Sequence, residues 1–324
     1  MTRSHVSGAS HLTLADFETS DPAMARCLAM ARAACRTELP ILILGESGTG
    51  KTFLARAIHN SSPRSSGPFV SFNAAALSDT LLDSQLFGHE KGAFTGAQKQ
   101  VRGKFELADG GTLFIDEIAD MSPLAQAKIL RAVEYGEFER LGSEALREAD
   151  VRLVSATHYP LAKFVDSDHF RSDLFYRIAG LTVTLPPLRE RPNDLRALVT
   201  AAVLNAARTQ HRTIEGLGKG AAEALLAYSW PGNLRELDRV VHAAVALSQG
   251  EVIEEGAILL PGLDGVDARP AAAFASYPAD QSLGSVERAH VRTVLAALGG
   301  NKTRAARALR VSRSTLERKL VASK

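Results

Sequence analysis

Short unbroken apolar runs alternate along this chain with longer stretches whose apolar residues recur at helical spacing. Pro40 to Leu44 reads as a buried strand feeding Gly45, and Lys51 to Asn60 then reads as a helix. Further strands are predicted at Phe69 to Phe72, Thr112 to Ile115 and Val151 to Ala156, with helical patterns between them. One of these, Met121 to Tyr135, carries Leu124, Ile129, Leu130 and Val133 at its apolar positions. Strands alternating with helices predict an α/β fold, a mostly parallel sheet covered on both faces. Beyond Pro186-Pro187 only helical patterns follow, at Asp194 to Arg208, Gly220 to Tyr228 and Asn233 to Ser248. Trp230-Pro231-Gly232 closes the second and Asn233 is placed to cap the third, which predicts a small helical domain on the sheet. Residues 261–284 have the Pro, Ala, Gly and Asp content of a flexible tether. Val286 to Leu298, Lys302 to Leu309 and Arg313 to Val321 then predict a three-helix tail module.

At 324 residues, with 45% hydrophobic and 23% charged positions, the chain has room for two or three domains with cores of their own. No apolar run reaches the length of a membrane span, and Met1 to Asp21 lacks the order of a secretory signal, so a cytoplasmic protein without membrane contact is expected. Cys27 and Cys35 are the only cysteines and read as buried thiols. Charge is unevenly spread. Residues 285–324 hold ten Lys and Arg against two Glu, +8, and the whole-chain +2 leaves −6 for residues 1–284. A cationic module on an acidic body points to an anionic polymer as the tail's partner, with DNA the leading candidate.

Gly45-Glu46-Ser47-Gly48-Thr49-Gly50-Lys51-Thr52 fits the phosphate-loop pattern between a strand and a helix. Its backbone N–H groups are placed to surround phosphates, Lys51 to reach the terminal ones, and the Thr52 hydroxyl to bind Mg²⁺. Gly110-Gly111-Thr112-Leu113-Phe114-Ile115-Asp116-Glu117 supplies the partner motif. Asp116 ends a strand where a carboxylate holds the metal, and Glu117 is the natural base to orient the attacking water. Asn73 ends its strand either as a turn residue or in a hydrogen bond to Glu117. Arg171, Arg177 and Arg235 are candidate donors to the transferred phosphoryl group; each is also open to pairing locally, with Asp173 or Glu236. Between the two nucleotide motifs lies Gly92-Ala93-Phe94-Thr95-Gly96-Ala97, a glycine-flanked loop with an aromatic tip. With His89-Glu90-Lys91 just upstream arguing against burial, Phe94 and Thr95 read as a nucleotide-driven contact tip.

On the phosphate loop, Glu90-Lys91 with Gly92 to Ala97, the Gly110 to Glu117 block, Phe170 to Arg177, Pro187 to Arg191 and Trp230 to Leu237, the chain resembles the bacterial enhancer-binding proteins. These are the AAA+ activators of sigma-54-dependent transcription. The resemblance implies a ring ATPase, a dimer assembling to a hexamer, with ATP and Mg²⁺ bound between subunits. It puts Arg171 and Arg177 at the arginine-finger positions and Arg235 at the second sensor. Asn73 matches the residue that switches its grip on Glu117, and Phe94 and Thr95 the tip that contacts sigma-54 on RNA polymerase. Thr52 departs from the pattern, which leads to Glu there. His158 stands in Ala156-Thr157-His158, where the resemblance leads to an asparagine sensor. The stretch ahead of the ATPase is too short for a receiver or ligand-sensing domain, so control is expected from a regulatory protein in trans, expression level or promoter occupancy. The implied organisation is a leader over 1–13, an α/β ATPase subdomain over 14–186, a lid over 187–260, a linker over 261–284 and a DNA-binding domain over 285–324.

In the tail, Gly300-Asn301 precedes a helix with Ala305, Ala306 and Leu309 on its packing side. Val311-Ser312 makes a turn, Ser312 caps the last helix, and Leu316 and Leu320 face the core. Arg313, Ser314, Thr315, Glu317 and Arg318 are left for the major groove and its phosphates. The pattern resembles the Fis-type helix-turn-helix that ends enhancer-binding proteins, although Arg310 and Glu317 stand where glycine and tyrosine are common. The leading expectation is an ATP-hydrolysing activator that opens sigma-54 promoters from enhancer DNA. Its rivals are a DNA-binding repressor or non-sigma-54 regulator whose oligomeric state is set by nucleotide, and an AAA+ motor acting on DNA structure or protein unfolding.

Overall fold

Strand β1 (Ile41–Leu44) shows why the centre of the fold needs cover on both sides: Leu42 points into one core, Ile41 and Ile43 into another. The same alternation divides Leu113 and Ile115 from Phe114 on β5 (Thr112–Asp116), and Leu153 from Val154 on β8 (Arg152–Thr157). Such two-sided burial is what a continuous apolar run provides in a parallel sheet. A computed structural model of the protein describes residues 11–75, 78–167, 169–261, 291, 302–309, 311 and 315–316. Its main sheet runs β2-β5-β8-β1-β9, all parallel, with β2 at Phe69–Asn73 and β9 at Leu181–Thr184.

Helices α1 (Pro22–Cys35) and α2 (Lys51–Asn60) cover one face through Leu28, Ala31, Leu54 and Ile58. On the other face lie α3 (Asp79–Phe87), α4 (Lys104–Leu107), α5 (Pro123–Tyr135), α6 (Leu161–Asp166) and α7 (Ser172–Ile178). Between α3 and α4 the chain forms a hairpin, β3 (Gly88–His89) antiparallel to β4 (Val101–Arg102). A second hairpin, β6 (Glu137–Glu139) with β7 (Leu146–Glu148), follows α5. Cys27 and Cys35 are both buried on α1 without a disulfide, and burial pushes the Cys27 thiol up to about 11.

The lid is α8 (Pro192–Thr209), α9 (Lys219–Ala227) and α10 (Asn233–Leu247) around Trp230, Leu225, Val240 and Val241. Trp230 is fully buried, donates Nε1–H to the Leu225 carbonyl at 3.0 Å and meets the Tyr228 ring edge-on.

The elements differ from the sequence pattern in several places, the two hairpins β3–β4 and β6–β7 among them. The lid is not helical throughout, because β10 (Gly216–Leu217) pairs in parallel with β11 (Val252–Ile253). Two residues on each side are too few to produce a readable alternation. Edge strand β9 escapes the pattern because only Val183 is buried while Thr182 and Thr184 are exposed. Helix α1 has no counterpart among the predicted elements, although Pro22 at its start is a favourable first residue. Asn233 does not cap α10 with its side chain; Glu236 instead accepts the Gly232 N–H at 2.8 Å.

The chain divides into two units, Met1–Leu260 and Pro261–Lys324. In the second, helix Lys302–Ala308 buries Ala305 and Ala306 with Val291 and Leu316, and Leu309 and Val311 pack beside them. Leu320 and the predicted cap Ser312 lie outside the described residues.

Candidate nucleotide site and contact loop

The phosphate loop joins β1 to α2 and turns on Gly48 and Gly50, whose φ angles of 80° and 102° lie in the region that favours glycine. At Gly48 a β-carbon would sit 2.3 Å from the Gly232 carbonyl oxygen, so the loop needs glycine for space as well as for conformation. Lys51 is buried, with Nζ donating to the Gly45 and Glu46 carbonyls at 2.9 and 3.4 Å and standing 3.6 Å from Glu117 Oε1. Thr52 is exposed on the first turn of α2.

Asp116 and Glu117 end β5 beside this loop. Glu117 adopts φ 53° and ψ 49°, a left-handed conformation uncommon for a non-glycine residue. Its Oε2 lies 2.7 Å from His158 Nδ1 and accepts the His158 backbone N–H at 3.3 Å. Burial works to raise the Glu117 carboxyl, but the His158 hydrogen bond and the charge of Lys51 outweigh it and hold it below the usual glutamate range. Asp116 moves the other way, because burial and then the neighbouring Glu117 charge outweigh the pull of Lys51. Two adjacent acids with opposite shifts give the site one readily ionised base and one carboxylate that gains from a nearby cation.

Asn73 pairs in register with Asp116 but does not grip Glu117; its Oδ1 accepts the Ala75 N–H at 2.8 Å. In this structure Asn73 bonds within its own turn, and the side chain hydrogen-bonded to Glu117 is His158. Arg171 immediately precedes α7 and makes a two-pronged ion pair with Asp173, at 3.0 and 2.7 Å. Arg177 donates to the Val133 and Glu134 carbonyls at the end of α5, at 3.3 and 3.1 Å. Among the described residues, the side-chain bonds of these two arginines go to Asp173, Val133 and Glu134, not to Glu117. Arg235 does not pair with Glu236; its Nη1 donates to Ser47 Oγ at 2.9 Å. Sequence reasoning missed Arg189, which clasps Glu46 at 2.8 and 2.7 Å and holds that carboxyl below its usual range through the hydrogen bond, against burial. Its place in Pro187-Leu188-Arg189-Glu190-Arg191 was the available signal.

Residues 92–97 form the tip of the β3–β4 hairpin. Gly92 and Gly96 have φ 85° and 107°, and nothing lies within 4 Å of where either β-carbon would stand. Thr95 is exposed, while Phe94 is half-buried against the edge of the His89 ring at a centroid distance of 5.0 Å. That corrects the expectation drawn from His89-Glu90-Lys91: His89 is itself buried, bonds Ser84 Oγ at 2.8 Å and forms the seat of Phe94. Ala97 is buried as well. At the hairpin's base, Arg140 is buried between Glu90 and Glu106, with contacts of 2.9 and 2.8 Å. Among the expected DNA contacts, Thr315 is described, and Arg313, Ser314, Glu317 and Arg318 lie outside the described residues.

No helix among the described residues is long and apolar enough to cross a membrane. Comparison with known families matches the sigma-54 interaction domain over residues 17–184, an AAA+ ATPase lid domain over 189–260, and the Fis family of bacterial regulatory proteins over 282–322. The transcriptional regulatory protein ZraR of Klebsiella oxytoca is 45% identical over 301 residues, covering 92% of this chain and 67% of that protein. The Nif-specific regulatory protein of Klebsiella pneumoniae is 44% identical over 293 residues, 89% of this chain and 55% of its own length. Among solved structures, NtrX from Brucella abortus in complex with ATP superposes with a TM-score of 0.69 at 31% identity, covering 94% of this chain and 68% of that one. Thermotoga maritima RuvB, at 18% identity and a TM-score of 0.51, shares the fold alone. The phosphate loop, the Asp116-Glu117 pair, the lid and these matches together make the chain a member of the sigma-54-dependent transcriptional activators, built on an AAA+ ATPase domain.

Proposed function

We propose that this chain hydrolyses ATP to ADP and phosphate in a subunit ring and uses the cycle to press the Phe94-Thr95 tip against sigma-54, opening the promoter complex. The observation that carries this reading is the hairpin tip. Thr95 stands exposed between two glycines in left-handed conformations, and Phe94 rests on His89 rather than being sealed in a core. A tip so built can be lifted without unpacking the sheet domain.

In the proposed site the loop N–H groups from Glu46 to Lys51 cradle the phosphates, and Lys51 with Arg235 neutralises them. Glu117, ionised through its shifted carboxyl, accepts a proton from the attacking water and aims it. His158 holds that carboxylate at 2.7 Å. Asn73, in register with Asp116, is assigned to Glu117 once its Ala75 contact is released. Arg171 and Arg177 are assigned to a neighbouring subunit's nucleotide, which requires Arg171 to leave Asp173. Thr52 and Asp116 suit Mg²⁺, because hydroxyl and carboxylate oxygens are hard donors and the strained charge on Asp116 is relieved by a cation. When bound, the ion supplies charge neutralisation at the phosphates. The family's Fis-type match, with the basic charge of the tail, supports double-stranded enhancer DNA as the second partner and a dimer as the assembling unit.

The test is in vitro transcription with sigma-54 polymerase on supercoiled DNA, comparing wild type with Thr95→Ala. The substitution is expected to leave ATP turnover intact and abolish promoter opening. Opening that survives Thr95→Ala, or that proceeds without ATP hydrolysis, overturns the reading. DNA binding with no ATP-dependent contact to sigma-54 favours a repressor.

A further inference from the structure

We propose that Asn233 is a positioning residue for ATP hydrolysis: it pins the lid to the phosphate loop and thereby holds Arg235 against the nucleotide's phosphates. The inference rests on the nucleotide-site reading above.

Three chain segments meet on this one side-chain amide. Oδ1 accepts the Leu188 N–H at 2.7 Å, in the connection from sheet to lid. Nδ2 donates to the Ser47 carbonyl at 3.1 Å and to Glu46 Oε2 at 3.2 Å, both in the phosphate loop. Its own backbone N–H goes to the Trp230 carbonyl at 2.8 Å, and that of Leu234 goes to the Gly48 carbonyl at 3.0 Å. Asn233 is fully buried and has φ 52°, a conformation that asparagine tolerates better than most residues. The side-chain amide offers two donors and an oxygen with two lone pairs, and both donors and one lone pair are used between segments. None of these bonds caps α10, whose first turn is served by Glu236.

This arrangement has a direct consequence for Arg235, two residues along the same helix. The Ser47 and Gly48 carbonyls are held by the lid, so a shift of the loop when it takes phosphates is passed to α10. Arg235 already reaches Ser47 Oγ at 2.9 Å. Aspartate at 233 would keep the acceptor, lose both donors and put a second carboxylate against Glu46. Glycine would keep the backbone conformation and remove all three side-chain bonds. The chain's single tryptophan, Trp230, sits at this junction and provides an intrinsic reporter.

The experiment uses the full chain as wild type, Asn233→Gly, Asn233→Asp and a Lys51→Ala control, measuring steady-state turnover, melting temperature with and without ATP, and Trp230 emission. Asn233→Gly is expected to raise the KM for ATP about tenfold, with kcat changed less, and to diminish the ATP-induced rise in melting temperature. Asn233→Asp is expected to be worse on both. A purely structural asparagine would lower the melting temperature of the free protein and leave the ATP-induced rise and KM at wild-type values, and that result overturns the proposal. If the variants fail to fold, wild-type Trp230 emission decides. It must change on adding ATP and stay unchanged in Lys51→Ala, and an unresponsive Trp230 in wild type that still binds ATP overturns the coupling alone. Wild type that binds no ATP overturns the nucleotide-site reading and this inference together.

Discussion

His158 Nδ1 lies 2.7 Å from Glu117 Oε2, so the side chain expected to sense the nucleotide is bonded directly to the expected base. Lys51 stands on the other oxygen at 3.6 Å, and Asp116 and Asp120 are the acids nearby. Glu117 is therefore a carboxylate held between a ring nitrogen and an ammonium, at the cost of a left-handed backbone.

Replacing His158 by alanine removes a bond that favours the ionised form, so the Glu117 carboxyl moves up toward its ordinary range. A base with a lowered value stays active down through that value as pH falls, and raising it brings the loss to higher pH. The acid limb of kcat/KM for ATP is expected to move to higher pH in His158→Ala. Glu117→Gln should bind ATP and lose about 10²- to 10⁴-fold in turnover. Profiles of the two His158 forms that coincide would remove His158 from control of the base.

Two glycines predict opposite outcomes for the same substitution. At Gly48 an added methyl meets the Gly232 carbonyl at 2.3 Å, so Gly48→Ala should displace the lid and abolish ATP binding. At Gly96 it meets nothing within 4 Å and bears only the strain of φ 107°, about 1 kcal/mol. Gly96→Ala should keep ATP binding unchanged. Calorimetric titration of both variants with ATP checks the contrast, and equal affinities would refute it.

Asp194 joins the lid to the segment ahead of α1. Its carboxylate accepts from the Ser20 N–H, the Thr19 hydroxyl and Arg191 at 2.9, 2.8 and 3.0 Å, while Asp21 returns the contact to the Asp194 N–H at 2.8 Å. Burial opposes ionisation, yet these bonds hold the Asp194 carboxyl below the usual aspartate range. A depressed carboxylate stabilises the fold above the unfolded value, about 3.9, and that contribution fades as pH drops through the folded value. Asp194→Asn should cost about 2 kcal/mol at pH 7, with the gap closing only below about pH 4. Urea midpoints at pH 7, 5 and 4 test this, and a gap already closed at pH 5 would sink it.

Much of this protein was written in local pattern. The apolar runs of β1, β5 and β8, the helix from Lys51 to Asn60, and Gly45 to Thr52 are legible because burial on both faces and phosphate-loop chemistry each demand consecutive residues. Ala305, Ala306 and Leu316 were likewise legible as the tail's packing side, since helical spacing repeats over a few positions. Other features depended on residues far apart in the chain meeting in space. Nothing in Ala156-Thr157-His158 announces that its ring lands on Glu117 instead of Asn73 doing so, because that choice is made by how β2, β5 and β8 lie side by side. The buried His89 beneath Phe94, Arg189 on Glu46 and Asn233 on Ser47 are of the same kind. Composition and periodicity decide which faces are buried; which polar groups then satisfy one another is decided only when the packed elements bring them within hydrogen-bonding distance.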